Sequence, residues 1–330
     1  MIAGVSYRFL EAYSITITDY FPMIAFSTNW MASRERDGAA LVQKILDLGF
    51  DTIELGHGLN VSQLHGIREF YAQGKFKVIS VHNFCPMPVE VLTDNPDCYE
   101  FSSYRPMDRE RAFRLTRQSL STAAEFGAKF VVLHLGRITP LSGMTDGLLK
   151  ALEEKGVASK EYARLKLEAV RKREKTALVF LDRVTALLEP LVEEASSLGL
   201  ILGVENRSDF EAIPTERELL ALLQRFNTPH LRYWHDFGHA QMRESLGLLD
   251  HAQWLAEISP YAAGAHLQDA AWPDKDHLIP FHGEIPFDRL VPLLPSSLPY
   301  ILELSSKSKP EDIIASLQRW KSQFHTTHES

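Results

Sequence analysis

Histidines and carboxylates recur at the ends of short apolar runs in this sequence, most densely in Leu231-Arg232-Tyr233-Trp234-His235-Asp236-Phe237-Gly238-His239. The run ends at Asp236, Gly238 lets the chain turn, and His239 returns three positions later toward the same place. Ala265-His266-Leu267-Gln268-Asp269 repeats the theme, with an imidazole and, three residues on, a carboxylate suited to orienting it. Gly203-Val204-Glu205-Asn206-Arg207 ends another run with an acid, an amide and a cation, and Tyr300-Ile301-Leu302-Glu303-Leu304 ends a last one with a Glu between apolar neighbours. Asn29, Glu54, His82 and His134 close four earlier runs. One such His alone reads most simply as a hydrogen-bonded structural residue. Carboxylates and imidazoles at seven of eight run ends instead suggest one shared site. Carboxylates gathered together repel unless a cation neutralises them, and a mixed carboxylate and imidazole set suits a divalent metal such as Mn, Co, Zn or Mg.

The elements that must position these residues follow from the pattern. Strands are expected at Met23–Thr28, Thr52–Leu55, Lys77–His82, Phe130–His134, Ile201–Glu205, Leu231–Asp236, Ala262–Leu267 and Tyr300–Glu303. Helical periodicity lies between them, for example over Gly38–Leu48, Ser62–Gln73, Arg109–Phe126, Thr215–Phe226 and Pro310–Gln323. Eight β–α units in one chain favour a closed (β/α)8 TIM barrel over an open doubly wound sheet, with insertions after the third and fourth strands. The nucleotide-binding fingerprints GxGxxG and GxxxxGK[ST] do not occur, and Gly56-His57-Gly58 reads as a tight βα turn. In a barrel the strand ends share one mouth, which is where the acidic and imidazole residues fall.

Composition bounds the partners. With 330 residues, 45% of them hydrophobic, the chain can bury a large core. The 35 Lys plus Arg against 43 Asp plus Glu leave a net charge of -8, so no global field draws nucleic acid or an anionic membrane. Cys85 and Cys98 are too few for a disulfide framework, and a reducing cytoplasm is the expected compartment. Residues 1–22 lack the features of a signal peptide and are read as an N-terminal extension of open order, followed by one barrel domain over 23–330. Seven basic residues against three acids between Lys160 and Lys175 read as a solvated helix face, with a lid or anion patch as the alternative, and Pro190 is expected to kink or split the helix that follows.

The ENR, DFGH, HLQD and ILEL segments, taken in order with Val81-His82-Asn83 and Leu133-His134-Leu135-Gly136, resemble the xylose-isomerase-like barrel superfamily from about Met23 to Gln323. That superfamily holds sugar and sugar-phosphate isomerases and epimerases, dehydratases and abasic-site endonucleases. The resemblance implies that Glu205, Asp236, His266 and Glu303 hold one divalent metal, with Glu205 and Glu303 also acting as acid and base on the substrate carbon. His82, His134, His239, His277, Arg207 and Glu54 are read as the candidates for substrate binding or a second metal. The loop after the seventh strand departs from the pattern: Phe281-His282-Gly283-Glu284 stands where a Pro-Gly-x-Gly turn is usual, and only Lys275 is available for the loop's usual arginine. The implied activity is a metal-dependent isomerase or epimerase of a small sugar, sugar phosphate or polyol. The alternatives are a keto-polyol dehydratase and a three-zinc phosphodiester hydrolase. The hydrolase also uses early histidines such as His82 and His134, but its Asp-x-His pair is met only imperfectly by Asp274-Lys275-Asp276 or Asp276-His277. A purely structural barrel would leave the converging carboxylates without a purpose. The expected partner is a small carbohydrate, with no membrane and no nucleic acid, and homo-oligomerisation is left open.

Overall fold

The computed structural model describes residues 23–273 and 275–324. The expectation for residues 1–22, and Asp274 of the imperfect Asp-x-His pair, lie outside the described residues.

In chain order the elements are β1 (Ile24–Ser27), α1 (Asn29–Ala32), α2 (Gly38–Asp47), β2 (Thr52–Leu55), α3 (Val61–Tyr71), β3 (Lys77–His82), α4 (Pro106–Glu125), β4 (Phe130–Leu133), α5 (Met144–Lys155), α6 (Lys160–Ser197), β5 (Ile201–Glu205), α7 (Glu216–Phe226), β6 (Leu231–Asp236), α8 (Phe237–Ser245), α9 (His251–Ile258), β7 (Ala262–Leu267), β8 (Asp269–Ala271), β9 (Lys275–Leu278), α10 (Phe287–Leu290), β10 (Tyr300–Leu302) and α11 (Pro310–Phe324). β1 to β7 and β10 pair in parallel and close into a barrel in the order β1-β10-β7-β6-β5-β4-β3-β2. β8 and β9 form a separate antiparallel hairpin at the mouth, in the loop after β7.

Alternation along the strands divides the core. Ala25, Phe130, Val132, Trp234 and Ile301 fill the barrel interior, while a larger cluster packs the strands' outer faces against the helices. Trp234 dominates the interior. A Cβ on Gly203 would come within 2.9 Å of its ring, and one on Gly264 would overlap it outright. These two glycines on flanking strands make room for the indole.

α6 runs unbroken through Pro190. The expected split does not occur because Pro190 and Ala186, whose carbonyl loses its helical partner, both lie on the exposed face, where water can satisfy that carbonyl. The charged stretch of this helix is largely solvated, as expected, except for Arg173. Its guanidinium is buried against the Phe210 carbonyl at 2.7 Å, the Ala212 carbonyl at 2.6 Å and the Glu218 carboxylate, so it is not available to an anion. The insertion is thereby fastened to the loop after β5. Buried Glu211 of that loop accepts the Gly143 and Thr145 N–H groups at the start of α5.

His251, on α9, packs behind β6 against His235. Burial pushes its imidazole down to about 3, with Asp250 opposing. An unfolded His titrates at about 6.5, so between these values the unfolded chain takes a proton that the folded chain refuses, and stability falls as pH drops through that window. The loss from this group between pH 7 and pH 5 should be about 2 kcal/mol. Urea midpoints measured at both pH values should therefore differ less in His251→Gln than in wild type. Equal pH dependence in the two proteins would assign the acid lability to other groups.

Candidate metal centre

Glu205, Asp236, His266 and Glu303 leave four different strand ends and converge so that one ligand atom from each lies within 4.8 Å of the others. All four are buried. The Nδ1 of His266 stands 3.2 Å from Glu205 Oε1, 3.2 Å from Glu303 Oε2 and 3.8 Å from Asp236 Oδ2. Glu205 Oε1 and His266 Nδ1 are buried yet find no hydrogen-bond partner among the described residues. Unpaired acceptors are costly in a dry interior, and a cation bound between them would supply what both lack. The donor set of one imidazole nitrogen and three carboxylates suits a divalent metal.

Each ligand is held from behind. Asp236 ends β6 and caps α8: its Oδ1 accepts the His239 N–H at 2.7 Å and its Oδ2 accepts the Gln268 amide at 2.7 Å. The chain turns here into the first turn of α8, which brings His239 back to Asp236, and Gly238 does so without a positive φ. It is small because a Cβ there would meet the Gln268 side chain at 2.8 Å. Glu303 Oε1 accepts the Asn29 amide at 2.9 Å. Burial opposes ionisation of Glu205, but neighbouring His266 and His134, and the hydrogen bond from His134, hold its carboxyl well below the usual range. Glu303 is likewise lowered against burial, chiefly by His266 and His277.

Two expectations exchange places. Asp269 does not orient the His266 ring; its carboxylate turns away with β8 and accepts the N–H groups of Ala270, Gly283 and Ile285. The ring is oriented by Glu54, whose Oε2 lies 3.2 Å from His266 Nε2 and accepts the Ser80 hydroxyl at 2.8 Å. Glu54 is fully buried behind the imidazole, on the far side from the other carboxylates. This proton on Nε2 leaves the Nδ1 lone pair for a metal, an arrangement that also raises ligand basicity.

The other candidates ring the quartet. His82 Nε2 and His134 Nε2 reach Glu205 Oε2 at 3.2 Å and 3.0 Å. Arg207, with its side chain 21% exposed, lies between His134 Nε2 at 2.9 Å and His239 Nε2 at 3.5 Å. His277 Nδ1 is 3.1 Å from the Glu303 carbonyl, and His239, Asp276 and His277 form a second group with potential ligand atoms in mutual reach. Lys275 is exposed. Three mouth residues have no signal of periodicity in the sequence. His57 stands 3.8 Å from Glu303 and is braced by Asp94 at 2.6 Å, while Asp97 braces His134 at 2.9 Å. Asp94 and Asp97 come from the long loop between β3 and α4.

The sequence pattern described as "Xylose isomerase-like TIM barrel" matches residues 42–323. The chain belongs to the xylose isomerase-like TIM barrel family. Solved structures share this family's fold with it at low identity. A D-tagatose 3-epimerase-like protein superposes with TM-score 0.64 at 18% identity, covering 93% of this chain and 98% of that one. The 3-keto-D-glucoside 4-epimerase of E. coli gives 0.62 at 15% identity over 91% and 99%. The IOLI protein, solved with a bound zinc atom, gives 0.60 at 12% identity over 93% and 100%. Among curated proteins, none matches the chain by sequence. No helix among the described residues is long and apolar enough to cross a membrane.

Proposed function

We propose that this family member is a cytoplasmic isomerase or epimerase of a small sugar, sugar phosphate or polyol that depends on one divalent metal held by Glu205, Asp236, His266 and Glu303. The observation that carries the reading is the convergence of these four buried groups around two unpaired polar atoms, Glu205 Oε1 and His266 Nδ1. Sugar epimerases among the structural neighbours support the substrate class. Removing a proton from carbon beside a carbonyl builds an enediolate, and a divalent metal bound here supplies Lewis-acid stabilisation of that negative charge. Of Glu205 and Glu303, the one that is ionised takes the proton, and the other must carry a proton to deliver it to the opposite face in an epimerisation. Arg207, His134 and His239 offer one cation and two imidazoles for the substrate oxygens, and His277 closes the side of the mouth next to Glu303.

A phosphodiester hydrolase is the second reading, favoured by His82 and His134 at Glu205 and by the group of His239, Asp276 and His277. Arg207 argues against it. Its guanidinium stands between His134 Nε2 and His239 Nε2, where it blocks the approach of additional metals to these nitrogens and repels a further dication. A dehydratase would share the enediolate chemistry and differ in the fate of the adjacent hydroxyl. A panel of free and phosphorylated ketoses in heavy water, run beside an abasic duplex oligonucleotide, tests the choice. Carbon-bound deuterium in a sugar is the expected result. Metal-dependent nicking that needs both His82 and His134, with no exchange on any sugar, would overturn it.

A further inference from the structure

We propose that Tyr233, His235 and His251, which face away from the barrel interior, are positioning residues that fix the metal ligand Asp236 and the mouth residue His239 through Asn206. The proposal rests on the metal-centre reading given above.

Asn206 is the junction. Its Oδ1 accepts the Asp236 backbone N–H at 2.7 Å, its Nδ2 donates to the Asp236 carbonyl at 2.9 Å, and its own carbonyl faces His239 Nδ1 at 2.9 Å. One amide thus holds the backbone of a ligand on both sides, and the same residue sets the ring that follows it. A backbone N–H must donate and a carbonyl must accept, so the amide cannot be turned over.

That orientation dictates the protons behind it. Asn206 Oδ1 carries no hydrogen, so the Tyr233 hydroxyl, 2.9 Å away, must donate its proton there. The other two neighbours of that hydroxyl must then donate to it. Trp254 Nε1 at 3.1 Å is a donor only, and His235 Nδ1 at 2.7 Å must carry its hydrogen. Among the described residues His235 has no carboxylate partner, so the buried ring is neutral and its Nε2 is bare. His251 Nε2, 3.1 Å away, is left as the donor to it. A single directed chain of hydrogen bonds therefore runs from α9, through the outer face of β6, to the end of β5.

A chain of this kind is expensive as packing. Tyr233, His235 and His251 are each fully buried, and the far end, His251 Nδ1, has no hydrogen-bond partner among the described residues. Apolar side chains would fill the space between β6 and α9 without that penalty. What the polar chain provides is a unique orientation of Asn206, and hence of the two residues that Asn206 touches in the mouth.

Tyr233→Phe removes the hydroxyl while keeping the ring. The experiment compares it with wild type and with Val42→Ala, a core variant on α2 that controls for lost stability. Cobalt(II) affinity is measured by chelator competition, the visible spectrum of the cobalt protein is recorded, and ring-nitrogen NMR of His239 is followed on metal-free protein. Tyr233→Phe should bind cobalt about fivefold to tenfold more weakly, with a changed visible spectrum and shifted His239 ring signals. Val42→Ala should match wild type in all three. Wild-type cobalt affinity, spectrum and His239 signals in Tyr233→Phe would overturn the proposal, as would equal changes in Val42→Ala. Failure of wild type to take up cobalt would instead sink the metal-centre reading, and the His239 signals would then decide the positioning role by themselves.

Discussion

Glu303→Gln should lower deuterium incorporation into the substrate carbon by about 10²–10⁴-fold per metal-loaded site. Two effects combine. A carboxamide cannot accept the proton, and the Asn29 amide that donates to Glu303 Oε1 would draw the glutamine carbonyl to itself, turning the NH2 group toward His266 Nδ1. The variant should therefore also bind metal more weakly, which is why exchange is scored against metal measured in the same sample. Exchange at the wild-type rate with a full complement of metal would remove Glu303 from the proton-transfer role. Glu205→Gln should show the same loss of exchange. Its Oε2 also accepts from His82 and His134, so the histidines should tilt as well, and substrate binding should weaken alongside turnover.

Removing the ligands altogether should have the second large effect. Elemental analysis of wild type reconstituted with Mn, Co or Zn should find about one metal per chain, and the Asp236→Ala/His266→Ala double variant should hold only background. Because metal binds the native state preferentially, wild type should gain about 3–4 kcal/mol when metal is at 100 to 1,000 times its dissociation constant, while the double variant should gain nothing. Melting curves with and without chelator read this directly. Equal metal content in the two proteins would show that the quartet is not the site. Two or more metals per wild-type chain would instead favour the hydrolase reading, since Arg207 should exclude the additional ions.

Much of this arrangement is legible in the sequence because a barrel converts a one-dimensional pattern into a shared location. Once eight short strands are marked, their last residues must meet at one rim, so Glu205, Asp236, His266 and Glu303 are brought together without knowledge of any contact. Direction is harder to read than position. Spacing alone suits a carboxylate three residues after His266 to brace it, but β8 carries Asp269 away, and Glu54 reaches the ring from the other side of the barrel. Such pairing depends on which strands adjoin across the interior, and spacing along the chain does not encode it. Loop residues are harder still. Asp94 and Asp97 lie in a stretch with neither strand nor helix periodicity, and their partners His57 and His134 are distant in sequence. Pro190 shows the opposite limit: a strong local rule yields where the broken bond faces water.

The indole of Trp234, seated between Gly203 and Gly264, has a consequence for traffic through the molecule. It lies edge-on to His266 with ring centroids 5.5 Å apart, so it stoppers the barrel immediately beneath the quartet. The site is a cup with one opening. Reactant and product must use the same doorway in turn, and a molecule lodged there blocks arrival and departure alike. Water and protons face the same restriction, so whatever narrows that doorway sets both the pace of release and the isolation of the reacting carbon from bulk solvent.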